Sequence, residues 1–147
     1  MIRILAFGAF DPLHAGHRDF FRQAKALGDH LTVVVARDSS IRANKGYEPH
    51  QSEEARLTAV AGAGVDTAML GNKTAHKYEL LRELAFDTIA LGYDQSPLEE
   101  EVRRQLALLG KQHVTVVRLL PFHPEQYKST FIRNPRSKPD SEEKRQD

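Results

Sequence analysis

Two histidines three residues apart, His14 and His17, are the side chains of this sequence that are best placed to do chemistry. They follow the turn-forming residues 8–13, Gly-Ala-Phe-Asp-Pro-Leu, and Gly16 between them leaves room for a ligand close to the backbone. Imidazole donors at a helix start add to its free N–H groups and to the positive end of its dipole, which already favour an anion. The spacing therefore predicts a phosphate-binding turn between a strand and a helix.

The residues alone leave other interpretations of this pair open. The two histidines could be incidental surface residues, could cap the helix, or could bind zinc. No third ligand follows at a recognisable spacing, so we predict no metal held by protein side chains. The remaining histidines have no companion at a useful spacing, and we interpret them as structural or surface residues: His30, His50, His76, His113 and His123.

Apolar runs alternate with amphipathic segments along the chain, which indicates parallel βαβ units. Strands are predicted at Ile2–Phe7, Leu31–Ala36, Thr67–Leu70, Thr88–Leu91 and Val114–Leu119, and helices at His17–Leu27, Ser52–Ala61, Lys77–Ala85 and Leu98–Leu109. The expected fold is α/β, a Rossmann-like doubly wound parallel sheet of about five strands in a single domain. Ligands bind beyond the carboxyl ends of such strands, where we expect the following segments to converge: Gly8–His17, Ala36–Lys45, Gly71–His76, Gly92–Pro97 and the residues after Leu119.

Composition limits the class of protein. The 147 residues suit one domain with a full core, and a net charge of +1 gives no general attraction to nucleic acid. The chain has no cysteine, no apolar run long enough to span a membrane, and an amino terminus that resembles a strand rather than a signal peptide. These features predict a cytoplasmic protein that binds neither nucleic acid nor membrane. The charged, proline-containing residues 134–147 are predicted to be a disordered tail behind a domain at 1–133.

The segment from Gly8 to His17 resembles the signature of the cytidylyltransferase-like nucleotidyltransferases. Residues 35–38, 91–95 and 127–130 are most similar to the archaeal-type FAD synthase branch, and the chain is also similar to the glycerol-3-phosphate cytidylyltransferases. The resemblance implies a transfer of AMP from ATP to FMN with release of pyrophosphate. It also implies Mg²⁺ bound with the nucleotide, no tightly bound organic cofactor, and a homodimer.

Roles for particular residues follow from the same resemblance. His14, His17 and Lys45 match catalytic positions, while Asp11, Asp38, Lys45 and Arg56 match positions that bind the acceptor. The nucleotide-binding positions are Gly8, Ala9, Phe10, His14, Gly16, His17, Gly92, Tyr93, Asp94, Gln95, Tyr127, Ser129 and Thr130. From the residues alone, Ser129-Thr130 could equally cap a helix, Gly92–Gln95 could be an ordinary turn, Arg42–Gly46 a solvated loop, and Arg56 half of a surface ion pair.

Two departures from the family pattern keep alternatives open. Ala9 and Phe131 each stand where the family carries a hydroxyl residue. One alternative is a CTP-dependent cytidylyltransferase acting on a small phosphorylated alcohol such as glycerol 3-phosphate, although Gln95 and Lys128 favour ATP. The other alternative is a nucleotide-binding regulatory module without catalytic activity.

Overall fold

The computed structural model describes residues 1–72, 79–93 and 99–121. Its strands are β1 (Arg3–Gly8), β2 (His30–Val35), β3 (Thr67–Leu70), β4 (Thr88–Leu91) and β5 (Thr115–Arg118). Its helices are α1 (Ala15–Lys25), α2 (Asp38–Lys45), α3 (Glu53–Ala61) and α4 (Glu99–Leu108), with a short 3-10 helix at Glu79–Arg82. The predicted tail at 134–147 lies outside the described residues.

All five strands form one parallel sheet in the order β3-β2-β1-β4-β5, which confirms the predicted fold class. The chain winds outward from β1 through β2 to β3, then returns to the other side of β1 for β4 and β5. The order therefore reverses between β1 and β4, and a doubly wound sheet binds ligands at the carboxyl edge beside such a reversal. The register places Gly8 beside Val35 at that edge, and Leu91 beside Arg118.

The sheet divides the core into two layers because successive side chains of a strand point to opposite faces. Ile4 and Ala6 of β1 belong to the layer that contains Phe21 of α1 and Val60 of α3. Leu5, between them, belongs to the layer that contains Val102 and Leu106 of α4 as well as Leu81 of the 3-10 helix. With both of its faces covered, β1 holds the turn that follows it in a fixed position.

Helix α2 lies where the sequence predicts a loop, at residues 36–45. Its N-cap residue, Arg37, makes no side-chain capping bond, and Ile41 is its single buried residue. The cap comes instead from α3, where Oε1 of Glu53 accepts the backbone N–H of Asp38 at 2.8 Å. A cap supplied by a residue 15 positions away leaves no local signal at the helix start.

The predicted helix at Lys77–Ala85 was also wrong over its described part, which contains only the 3-10 helix Glu79–Arg82. The backbone N–H groups of Glu83 and Leu84 both donate to the carbonyl of Leu80, closing the turn. Leu80 and Leu81 are both buried in the core layer that contains Ile89 and Val102, so tertiary packing holds this short turn in place. The ends of the other predicted elements differ from the observed ends by two residues at most. In residues 1–72, 79–93 and 99–121, no helix is long and apolar enough to cross a membrane.

Candidate active site

The turn between β1 and α1 is built around a buried phenylalanine. Phe10 has a positive φ of 55° and is 3% exposed, with its ring folded back over Gly8. A Cβ on Gly8 would lie 2.5 Å from that ring, so the position requires glycine. The Phe10 ring contacts His17 edge-on, with ring centroids 5.0 Å apart, and packs against Phe21 at 5.3 Å. The buried Phe10 side chain therefore packs against His17 and holds its ring in place. Any contact of Phe10 with a nucleotide would come from its backbone.

His14 and His17 cap helix α1 together. The backbone N–H of Gly16 donates to Nδ1 of His14 at 3.0 Å, and the backbone N–H of His14 donates to Nδ1 of His17 at 3.2 Å. The two rings stack with their centroids 3.9 Å apart. Since each Nδ1 accepts a hydrogen bond, each neutral ring carries its proton on Nε2. From the sequence, helix capping and phosphate binding were alternative roles for this pair. In the structure the two roles are compatible, because the cap leaves two Nε2–H donors for a ligand.

Gly16 is explained by the same cap. A Cβ at this position would lie 2.9 Å from Cε1 of His14 and 3.1 Å from its Nδ1. Any other residue would push the His14 ring away from the N–H group that it accepts. The glycine in the His-x-Gly-His pattern therefore serves the histidine cap, in addition to the close ligand approach expected from the sequence.

Burial, together with a smaller effect of the neighbouring charge of His14, lowers the pKa of His17 to about 4. His17 is therefore neutral near pH 7. A neutral imidazole held in one tautomer can donate a hydrogen bond to a phosphate oxygen without first losing or gaining a proton. This suits stabilisation of developing negative charge rather than general acid catalysis.

Asp11 holds the segment that precedes α3 against this turn. Its side chain is 3% exposed and accepts the backbone N–H groups of His50 at 2.7 Å and Gln51 at 2.9 Å. Burial raises the pKa of the Asp11 carboxyl, but these two bonds and the nearby charges of His50 and Arg56 lower it more, so the net direction is downward. The carboxylate is thus occupied by the backbone, and the structure gives it a positioning role instead of the expected contact with an acceptor.

Arg56 is fully buried and joins four parts of the chain. Its Nε donates to the carbonyl of Gln51 at 3.0 Å, and its Nη1 donates to the carbonyls of Ala9 at 3.0 Å and Ala36 at 2.6 Å. Its Nη2 donates to Oδ1 of Asp38 at 2.6 Å. From the sequence, we predict that Arg56 contacts the acceptor or pairs at the surface. A side chain with no exposed area does neither, so Arg56 positions the turn after β1 relative to the start of α2.

Lys45 is the last residue of α2 and is exposed, rather than part of a loop as expected. Gly46, with a φ of 77°, ends the helix after it. The Lys45 ammonium has no hydrogen bond or ion pair within the described part of the chain, whereas Arg42 of the same helix pairs with Glu48 at 2.9 Å. Lys45 is therefore the cation of α2 that is available to a ligand.

Arg118, which the sequence analysis did not identify, holds the exit from β4. Its Nη1 donates to the carbonyl of Gly92 at 2.6 Å, and its Nη2 donates to Oε1 of Glu99 at 2.8 Å. The hydrogen bond from Arg118 is the main cause that keeps the pKa of Glu99 below its usual range. The available signal was its place at the carboxyl end of a predicted strand. Gly92 and Tyr93 lie at this edge, while Asp94, Gln95, Tyr127, Ser129 and Thr130 lie outside the described residues.

The site thus brings two imidazole Nε2–H donors to the carboxyl edge of β1, beside the reversal of strand order. Buried Asp11 and Arg56 fix the surrounding backbone. Among residues 1–72, 79–93 and 99–121, no group of three or more histidine, aspartate or glutamate side chains is arranged to hold a metal ion. The arrangement can bind phosphate oxygens and stabilise charge on them.

Comparisons with known proteins agree with this geometry. The model of the cytidylyltransferase-like family matches residues 5–135. The chain is 48% identical over 111 residues to an FAD synthase of Methanosarcina barkeri, covering 75% of this chain and 78% of that protein. It is 39% identical over 137 residues to an FAD synthase of Thermoplasma volcanium, covering 90% and 92% of the two chains. A crystal structure of a lipopolysaccharide core biosynthesis protein from Thermoplasma volcanium superposes with a TM-score of 0.77 and 41% identity, over 83% of this chain and 98% of that one.

Proposed function

The chain belongs to the cytidylyltransferase-like family, and from this we propose that it is an FMN adenylyltransferase that forms FAD from ATP and FMN. The relatives named FAD synthase align over most of their own length, and their identity to this chain reaches 48%. The observation that carries a transferase role is the pair of histidines that cap α1 through Nδ1 and are left with Nε2–H donors. These donors lie where a family signature and a helix start both favour phosphate.

The proposed reaction is an in-line displacement at the α-phosphorus of ATP. An oxygen of the FMN phosphate attacks that phosphorus, the bond from the α-phosphorus to the bridging oxygen of the β-phosphate breaks, and pyrophosphate leaves. The acceptor phosphate is largely ionised near pH 7, so the step requires no strong protein base. Catalysis then depends on positioning and on stabilising charge as it moves onto the phosphate oxygens.

We assign the residues of the site accordingly. His14 and His17 donate from Nε2 to the phosphate oxygens of the nucleotide, and Lys45 neutralises the phosphate of the acceptor. Asp11 and Arg56 act as positioning residues. The backbone of residues 8–10 with Gly16, together with the later segments, surrounds the nucleotide. Those later residues are Gly92, Tyr93, Asp94, Gln95, Tyr127, Ser129 and Thr130.

Mg²⁺ is proposed to enter with the triphosphate and to neutralise its charge, as family members generally require. The two imidazoles suit this arrangement, because Nε2–H donors bind phosphate oxygens and leave the cation to the nucleotide. The homodimer, the cytoplasmic location and the absence of nucleic-acid and membrane partners remain predictions.

One assay separates the candidate functions. The purified protein is incubated with Mg²⁺, with ATP or CTP, and with FMN, glycerol 3-phosphate or phosphopantetheine, while pyrophosphate release and FAD formation are followed. We expect turnover with ATP and FMN alone. Turnover that depends on CTP would establish the cytidylyltransferase instead, and nucleotide binding without turnover of any acceptor would establish the regulatory module.

Two variants connect the activity to the site. His17→Ala removes one Nε2–H donor, and we expect a rate lower by about 10²–10³ if the donor acts as in an oxyanion hole. His113→Ala is the matched control, since His113 is exposed and precedes β5 at the opposite edge of the sheet. Full activity of the His17 variant would contradict the proposed mechanism whatever the acceptor.

A further inference from the structure

In residues 1–72, 79–93 and 99–121, the most exposed aromatic side chains follow strands that end at one edge of the sheet. Within the described ranges, the large hydrophobic side chains that remain exposed include only two aromatic ones, Tyr47 at 47% and Tyr93 at 49%. Tyr93 comes two residues after the end of β4, and Tyr47 follows helix α2, which begins just beyond the end of β2. Because β2 and β4 flank β1, the two tyrosines lie on either side of the histidine turn along the carboxyl edge.

The segment that carries Tyr47 is connected to the histidine turn at its carboxyl-terminal end. Gly46 closes α2 before it, and the N–H groups of His50 and Gln51 donate to the buried Asp11 after it. Three residues of extended chain span at most about 11 Å, which keeps Tyr47 within that distance of an anchored residue. The chain therefore keeps Tyr47 near the histidine turn, with its side chain half exposed.

A contact on one side of Tyr47 restricts it further. Nε of Arg42 donates to both carboxylate oxygens of Glu48, at 3.0 and 2.9 Å. On the other side, Lys45 precedes it by two residues and has no partner in the described part of the chain. A cation and a half-exposed aromatic ring, two residues apart, match an acceptor that carries both a phosphate and a flat ring system.

We propose that Tyr47 is the stacking surface for the isoalloxazine ring of the acceptor, and that it determines the preference for a flavin over a small phosphorylated alcohol. The inference rests on the proposed function, since that reaction joins two ligands with flat heterocycles. An adenine at the Tyr93 side and a flavin at the Tyr47 side would each meet one exposed aromatic ring. Lys45 binds the flavin phosphate, while Tyr47 packs against the ring at offset-stacking distance.

Flavin fluorescence tests this proposal without ATP and without turnover. FMN and riboflavin, which share the ring but differ in the phosphate, are each titrated with the intact protein. Stacking on a phenol quenches flavin emission, so wild-type protein should quench both ligands. We expect Tyr47→Ala to raise both dissociation constants about tenfold or more and to remove most of the quenching. Tyr47→Phe should retain binding, because it keeps the ring.

Two further variants separate the ring from the phosphate. Lys45→Ala should weaken the binding of FMN but leave the affinity for riboflavin unchanged. A general loss of structure would instead weaken the binding of both ligands. Leu108→Ala alters a side chain that is 72% exposed on α4, and it should leave the affinities for both ligands unchanged. In the assay of FAD formation from ATP and FMN, Tyr47→Ala should raise the KM for FMN and leave the KM for ATP unchanged.

Several results would overturn the inference. They are unchanged flavin affinity in Tyr47→Ala, equal losses in Tyr47→Phe and Tyr47→Ala, or a wild-type protein that binds neither flavin. Its failure is distinguishable from failure of the proposed function. A wild-type protein that forms FAD while Tyr47→Ala keeps its FMN affinity contradicts the inference alone, whereas flavin stacking on Tyr47 without FAD formation contradicts the proposed function alone.

Discussion

The guanidinium of Arg56 lies 2.6 Å from the carboxylate of Asp38, and Arg56 is fully buried while the Asp38 side chain is 22% exposed. The same guanidinium donates to the carbonyls of Ala9 and Ala36, at the ends of the two strands whose exits border the site. Its charge and its N–H donors are therefore paired with groups of the protein itself. This ion pair sets the orientation of α2, and with it the position of Lys45, relative to the histidine turn.

Replacing Arg56 should cost much more stability than replacing a surface arginine. Arg56→Met leaves Asp38 and three backbone carbonyls without their donor, and we expect a loss of about 3–5 kcal/mol in the free energy of unfolding. Urea denaturation measures this loss. Arg104→Met is the matched control, because Arg104 pairs with Glu101 at an exposed position of α4 and should cost under about 1 kcal/mol. Similar losses in the two variants would contradict the role of Arg56.

The buried His17 should make stability depend on pH between about 4 and 6.5. The unfolded chain binds a proton as pH falls through 6.5, whereas His17 in the folded protein binds one only near its pKa of about 4. The free energy of unfolding contributed by this group is therefore fully present above pH 6.5. It decreases as pH falls toward 4, by at most about 1.4 kcal/mol per pH unit.

Denaturation of a matched variant at several pH values isolates this effect. His17→Asn keeps an acceptor near the position of Nδ1 but does not titrate, so its stability should fall less steeply than that of the wild type between pH 6.5 and 4. His113→Gln replaces an exposed histidine and should retain the wild-type slope. Parallel pH profiles for wild type and His17→Asn would show that His17 is not held neutral by burial.

Adding one methyl group at Gly16 should disable the histidine cap. The new Cβ would lie 2.9 Å from the His14 ring, and the displaced ring would lose the N–H of residue 16. We expect Gly16→Ala to lower kcat about 10²-fold, as for loss of one donor, and to cost about 1 kcal/mol of stability for the lost cap. Gly62→Ala is the control, since its Cβ would meet nothing closer than 3.6 Å and its φ is −86°. An active Gly16→Ala enzyme would contradict the link between cap and catalysis.

Replacing Arg118 should weaken the binding of the nucleotide rather than that of the acceptor. Arg118→Gln removes the donors that hold the Gly92 carbonyl and Glu99, so we expect the KM for ATP to rise about tenfold with little change in the KM for FMN. Arg103→Gln removes a comparable bond from α4 to the carbonyl of Val116 without touching Gly92, and should leave both constants unchanged. Faster amide exchange at Gly92 and Tyr93 in the Arg118 variant alone would identify positioning as the cause. Equal kinetic effects in the two variants would indicate a structural role.

Much of the fold was predictable because its signals are local. The apolar runs of β1 to β5 and the helical periodicity of α1, α3 and α4 gave each element within two residues of its observed ends, and alternation of the two types predicted a parallel sheet. Helix α2 was missed because Glu53, which caps it, belongs to another helix. The 3-10 helix at Glu79–Arg82 was mistaken for an α-helix because apolar content alone does not distinguish a surface helix from a buried turn.

The sequence by itself determined the part of the site whose contacts span a few residues. His14, Gly16 and His17 satisfy one another within a single helical turn, so their spacing already indicated both the helix start and the phosphate chemistry. Only the tertiary structure decided the roles of Asp11, Arg56 and Arg118. Their partners lie between 5 and 47 positions away along the chain, and the same residue type can be a surface ion, a ligand contact or a buried clamp. Which of these it becomes depends on burial, which is set when the strands pair and the helices cover the sheet.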